Sequence, residues 1–193
     1  SEGAQVIAND LDAAPLAEEV DKLAQQGLTV HALPGDITQQ ATAEALVSTA
    51  LDRYGNLHIV VNNAGYGLVG AVEEAGEAEA RDIVDTNLLG PLWVAQAVLP
   101  HLRAQGAGHI GQISTTGAVG AMPTLGLYNA GNRGLEGFSQ ALAGEVARFG
   151  VRVTVAQLGG FDTDWAGSGM HFATPSAVYD DLRRELFGTA EVP

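Results

Sequence analysis

The feature that most constrains the fold is an alternation along the chain of short apolar runs with longer stretches of helical period. Residues 5–8 form a short apolar run closed by Asn9-Asp10, which reads as a buried strand. Over 13–26, Leu16, Val20, Leu23 and Ala24 share one helical face, and Gly27 marks the stop. A strand over 28–33 ends at Pro34-Gly35-Asp36, and a helix over 40–54 turns Ala41, Ala45, Leu46, Thr49 and Ala50 inward. Residues 57–61 are almost unbroken in apolarity, which predicts burial on both faces. A long helical region spans 77–104, and Gly90-Pro91 is expected to bend or interrupt it. Strands over 109–114 and 151–158 flank a helix over 125–149. Such alternation favours a parallel sheet covered by helices, and right-handed crossovers make a doubly wound α/β sheet its natural form.

Composition narrows the partners. The chain carries 23 acidic and 9 basic residues, a formal net charge of −14. That field repels a phosphate backbone and an anionic bilayer surface, so neither nucleic acid nor membrane is an expected partner. There is no cysteine, hence no disulfide framework and no thiolate chemistry, which suits a cytoplasmic protein. No stretch approaches the ~20 apolar residues of a membrane span, and no positively charged leader with an apolar core opens the chain. Ser1-Glu2-Gly3-Ala4 reads as the tail of a helix with its C-terminal glycine, so the N-terminus is expected to be incomplete. The 193 residues are read as a single domain, with 161–193 as a substrate loop or lid.

The chemistry-bearing residues lie where strands end. Asn62-Asn63-Ala64-Gly65 follows the strand over 57–61 directly; small residues there let backbone approach a flat ligand, and a side-chain amide can brace neighbouring strands. Taken alone it could also be a tight turn. Asp85-Thr86-Asn87 comes later in the long helical region, and Tyr128 heads the helix over 125–149.

With these motifs and their spacing, the chain resembles the short-chain dehydrogenase/reductase family over essentially its whole length. The resemblance implies a Rossmann-like sheet and NAD(P)-dependent hydride transfer on a small alcohol or carbonyl. It also implies roles. Tyr128 matches the general acid or base, Asn87 the support of a water-mediated proton relay, and Thr115, with Ser114 adjacent, the hydroxyl that anchors the substrate oxygen. Asn132 stands where the family has a lysine that lowers the tyrosine pKa and holds the nicotinamide ribose. For the dinucleotide, Asp10 matches the acidic residue on the adenosine ribose, which favours NAD over NADP; it reads equally as a helix N-cap. Asp36 and Ile37 match the adenine-contacting pair, and Asn62, Asn63, Ala64 and Gly65 match a cofactor-lining turn. Gly159, in Leu158-Gly159-Gly160, and Thr163 match the cofactor contacts after the sixth family strand, although a proline normally opens that loop.

The chain departs from the family at its start: the first strand, with its Gly-x-x-x-Gly-x-Gly turn into a helix N-terminus that takes the pyrophosphate, is absent. That strand would lie between those over 5–8 and 57–61. Either the chain is a fragment or the flanking strands have closed up. Two further readings therefore stand beside the oxidoreductase: a non-catalytic scaffold or ligand-binding relative, and a cofactor-free hydrolase reusing Tyr128 with Ser114 or Thr115. No metal site is expected, because His31, His58, His101, His109 and His171 are scattered without ligand spacing. Phe161, Trp165, Met170 and Phe172 hint at an apolar substrate pocket. A homodimer or homotetramer is expected through 77–104 and 125–149, where Leu127, Leu135, Phe138 and Leu142 either form an interface or simply pack on the sheet.

Overall fold

A computed structural model describes residues 3–120, 122–161, 167 and 169–192. The chain runs β1 (Gln5–Ala8), α1 (Ala13–Gln25), β2 (Thr29–Ala32), α2 (Gln40–Tyr54), β3 (Ile59–Asn62) and β4 (Gly67–Val69). It continues through α3 (Glu77–Val84), α4 (Gly90–Gln105), β5 (Gly108–Thr115), α5 (Gly126–Val146), β6 (Val151–Leu158), β7 (Met170–Phe172) and α6 (Asp180–Phe187). Among the described residues every strand pairing is parallel: β1 with β2, β3 with β5, β5 with β6, and β4 with β7.

The strands form a two-stranded ladder β1-β2, a three-stranded sheet β3-β5-β6 and a small ladder β4-β7. β1 and β3 are not hydrogen-bonded to each other, so the two flanking strands have not closed up. Helix α2 packs on both β1 and α4, and this links the first ladder to the body of the protein. Asn9, at the end of β1, donates its amide to the carbonyls of Leu33 and Gly35, which fixes the β2 exit beside it.

The core lies on one face of the three-stranded sheet. Ile110 and Val151 from that face meet Ala43 and Val47 of α2, Val94, Val98 and Leu102 of α4, and Leu142 and Val146 of α5. The other face is open at β3, where Ile59 and Val61 are 66% and 59% exposed. Residues alternate across a strand, so Val60 and Asn62 face the core while Ile59 and Val61 point the opposite way. The expected burial of this strand on both faces is therefore corrected: it is buried on one face only.

The long helical region divides before Gly90-Pro91. Residues Asp85–Leu89 form one π-helical turn between α3 and α4, all with helical backbone angles at its ends. Single π turns of this kind frequently mark functional sites. Pro91 sits in the first turn of α4, directly after the π turn. The short strands β4 and β7 were not legible as strands, lying in glycine-rich sequence. Gly70, just after β4, explains the close approach: a Cβ there would lie 2.6 Å from the Cβ of Ala173.

Candidate active site

The C-terminal ends of β3, β5 and β6 point to one end of the parallel sheet, where open α/β sheets bind ligands. There, β5 ends at Thr115 and runs into a 3₁₀ turn over Thr116–Ala118, capped by the Thr115 hydroxyl accepting from the Gly117 N–H at 3.1 Å. Helix α5 begins at Gly126 and presents Tyr128 in its first turn. Just before it, Thr124 is held at φ +70°, a left-handed conformation rare for a β-branched residue. Its carbonyl accepts from Gly70 N at 2.8 Å, which ties the start of α5 to the end of β4.

Burial pushes the Tyr128 hydroxyl pKa up, while side-chain hydrogen bonds with Thr115 and Asn132 pull it down; the net direction is upward. Asn132 is itself buried, one turn along α5, and donates its amide to the Tyr128 backbone carbonyl at 3.0 Å. The site thus brings together Tyr128, Thr115 and Asn132.

Ser114 goes elsewhere. Adjacent strand residues face opposite sides, and Ser114 donates to Glu136 Oε1 at 2.6 Å, a carboxylate that also accepts from Gln157 at 2.9 and 3.0 Å. Glu136 and Gln157 line a groove between α5 and β6.

Asn87 occupies the π turn and is buried. Its side-chain oxygen accepts from the Tyr66 N–H at 3.1 Å and its amide donates to the Tyr66 carbonyl at 2.8 Å. The π turn therefore aims an amide at the loop after β3 and pins that loop at both its donor and acceptor. Gly65 leaves room for this contact, since a Cβ there would sit 3.0 Å from Asn87 Oδ1. Tyr66 packs with Tyr128 and Leu127 against a small apolar cluster of Leu68, Ile83 and Ala173. Its ring lies 4.6 Å from that of His171. Burial, reinforced by the carboxylates of Asp82, Glu79 and Asp85, pushes the Tyr66 hydroxyl up to about 12.

Asn62 braces the sheet. It pairs in register with Gln112 across β3 and β5, and donates its amide to Gln112 Oε1 at 2.8 Å inside the protein. Asn63, Ala64 and Gly65 are exposed beyond the strand end. Asp10 is exposed at the end of β1, and its carboxylate accepts from the Asp12 N–H at 3.0 Å; Asp12, not Asp10, is the N-cap residue of α1. Asp36 accepts from the Thr38 N–H at 2.9 Å. Ile37 packs against the core. Gly159 is exposed beyond the end of β6, and Thr163 and Trp165 fall outside the described residues.

A second polar cluster went unforeseen. Arg183 of α6 and Glu74, in the loop after β4, form an ion pair at 2.6 Å with side chains only 6% and 3% exposed. Arg183 also bonds Asp180, the Ser176 carbonyl and the Ala190 carbonyl. Glu74 additionally accepts from the Ala71 and Ser176 N–H groups. No local signal joins residues so far apart in the chain. The residues expected at an oligomer interface also lie inside the protomer: Leu135 and Leu142 are buried in it, and Leu127 and Phe138 pack against its apolar clusters.

Among the described residues no group of three metal-ligating side chains converges, and no helix is long and apolar enough to cross a membrane. Comparison with known proteins gives a consistent picture. The family model for short chain dehydrogenase matches residues 1–171. Oxidoreductase BOA17 of Botryotinia fuckeliana is 38% identical over 177 residues, covering 92% of this chain, which spans 64% of that protein's length. A short-chain dehydrogenase from Streptomyces avermitilis superposes with a TM-score of 0.85 at 30% identity, covering 96% of this chain and 70% of that one. A metagenomic short-chain oxidoreductase solved in complex with NADP matches with a TM-score of 0.75 at 26% identity, over 79% of this chain and 70% of that one. With its parallel strands, its Asn62–Gly65 turn and Tyr128 at the head of α5, this chain is a member of the short-chain dehydrogenase family.

Proposed function

We propose that this chain forms the sheet and substrate side of an NAD(P)-dependent oxidoreductase acting on a small alcohol or carbonyl compound. The observation that carries the reading is the pairing of the Tyr128 hydroxyl with Thr115 at the C-terminal end of the sheet. Tyr128 exchanges the proton of the substrate oxygen, and the Thr115 hydroxyl holds that oxygen. Asn87 keeps the loop after β3 in place through both atoms of its amide. The chain acts as one domain in which 161–193 contributes the substrate loop, and the apolar surroundings of Tyr128 suit a hydrophobic substrate.

The dinucleotide itself fits in part. Asp10 at the end of β1 and the exposed Asn63–Gly65 backbone at the end of β3 are suitable contacts for the adenosine ribose and the nicotinamide side. Among the described residues no Gly-x-x-x-Gly-x-Gly turn leads into a helix N-terminus, so no phosphate contact is assigned. When bound, the nicotinamide supplies or accepts the hydride. Asp10 favours NAD, because a carboxylate repels a 2′-phosphate.

Calorimetric titration of the chain with NAD, NADH, NADP and NADPH tests the reading, followed by turnover assays on Tyr128→Phe. Binding of one pair, with turnover lowered by about 10²–10⁴-fold in the variant, is the expected result for loss of a general acid or base. Absence of binding to all four sinks it.

A further inference from the structure

The head of α5 depends on its neighbours. Thr124, just before it, has a left-handed backbone that a β-branched residue adopts at a cost, and its hydroxyl is buried without a hydrogen-bond partner among the described residues. The end of β4 holds this turn. The Gly70 N–H donates to the Thr124 carbonyl at 2.8 Å, and Gly70 forms a parallel bridge with Leu125. The loop after β4 is in turn closed by Glu74, whose Oε2 accepts from the Ala71 N–H at 2.8 Å.

The other oxygen of the same carboxylate faces a distant part of the chain. Oε1 accepts from the Ser176 N–H at 2.7 Å and from Arg183 at 2.6 Å. Arg183 also donates to the Ser176 carbonyl at 2.6 Å and to Asp180 at 2.8 Å, which ties α6 to the same point. Strand β7 lies directly on β4. The Ala173 N–H donates to the Val69 carbonyl at 2.9 Å, and a Cβ on Gly70 would lie 2.6 Å from that of Ala173. Ala173, Leu68 and Ile83 form the apolar cluster on which Tyr66 and Tyr128 rest.

We propose that Glu74 is a positioning residue for the site. It clamps β7 and α6 to the loop after β4, and through that loop to the head of α5. It thereby sets the apolar wall beside Tyr128, and with it the affinity for substrate, without entering the chemistry. This rests on the oxidoreductase reading above.

Burial gives the clamp its force. The side chains of Glu74 and Arg183 are 3% and 6% exposed, so the carboxylate has its protein donors in place of water. The three groups bonded to it are all donors, and they come from two separate segments. Glu74→Gln keeps the shape but turns one acceptor into a donor that meets a donor. One of the two segments is then released.

Hydrogen exchange and steady-state kinetics on the intact chain test this, with Glu74→Gln and Arg183→Lys. In Glu74→Gln the amides of Ala71, Ala173 and Ser176 should exchange about tenfold faster or more, as for a local opening, while those of β5 stay unchanged. Aliphatic and aryl ketones serve as probes with whichever reduced dinucleotide binds. The ketone KM should rise about tenfold with kcat within about threefold, the pattern of lost binding shared by ground and transition states. Arg183→Lys keeps a cation beside Glu74 but not the planar fork, and should give the same pattern at smaller size. Should Glu74→Gln not fold, Arg183→Lys decides by the same measures. A tie that only stabilises the fold would lower the unfolding midpoint and leave KM alone, and that outcome overturns the proposal. Unchanged exchange at Ala71 and Ser176, or a fall in kcat at constant KM, overturns it too. If the unmodified chain binds no dinucleotide, the oxidoreductase reading falls and the substrate role with it. Exchange, measured without dinucleotide, tells that failure from an error about the clamp.

Discussion

Asn62 and Gln112 show how single residues set this site. They face each other across β3 and β5, and the Asn62 amide donates to Gln112 at 2.8 Å in a buried setting. The Gln112 amide nitrogen is buried without a hydrogen-bond partner among the described residues, so the bond from Asn62 is what satisfies the oxygen end of that side chain. Asn62→Ala would leave the Gln112 carbonyl oxygen without its donor, at a cost of about 1–3 kcal/mol. Urea unfolding should show a lower midpoint with an unchanged slope, and a midpoint equal to that of the unmodified chain would contradict the bracing role.

Among the elements, the segment from β7 to α6 is held by one buried knot. Glu74 and Arg183 join the loop after β4 to α6, with Asp180 and Ser176 completing the network. Removing one partner of a buried pair strands the other charge, so Arg183→Met should destabilise the protein by about 3–5 kcal/mol, whereas Glu74→Gln combined with Arg183→Met should cost less. A double-mutant cycle followed by thermal unfolding checks this; additive losses would argue against coupling. The pH dependence has a definite sign. Burial pushes the Glu74 carboxyl up, but hydrogen bonds from Ser176, Arg183 and Ala71 outweigh it and hold it below the ordinary value. A group depressed in the folded state contributes stability that is present above its unfolded pKa and lost as pH falls through the folded one. Acid should therefore loosen α6 and the β4-β7 ladder before the core, and hydrogen exchange at β7 compared with β5 would reveal that order.

For the molecule as a whole, the open face is the dominant feature. Ile59, Val61 and Val6 leave apolar surface exposed on β3 and β1, strands with no partner between them among the described residues. Exposed strand edges with apolar side chains invite association. The net charge of −14 opposes this at low ionic strength, and salt screens it. Sedimentation should show self-association rising with salt, with dye binding to match. Ile59→Lys should reduce both while changing stability by no more than about 0.5 kcal/mol, as for most surface substitutions. Self-association unaffected by Ile59→Lys would place the adhesive surface elsewhere.

Local pattern determined a large part of this protein. The helices over 13–25 and 40–54 and the strand over 151–158 follow from apolar period and glycine stops, although α2 buries Ala43, Val47 and Ala50 while Ala41, read as inward, is exposed; the parallel architecture follows from their alternation. The position of Tyr128 at the start of α5 is equally a matter of sequence. Which hydroxyl reaches it was not: Ser114 and Thr115 are neighbours of like chemistry, and only the pleat of β5 sends one to Glu136 and the other to Tyr128. The Arg183–Glu74 knot, the short β4-β7 ladder and the open face of β3 were likewise decided in three dimensions. Each depends on contacts between residues distant in the chain or on the absence of a neighbouring element, and neither leaves a mark on local periodicity.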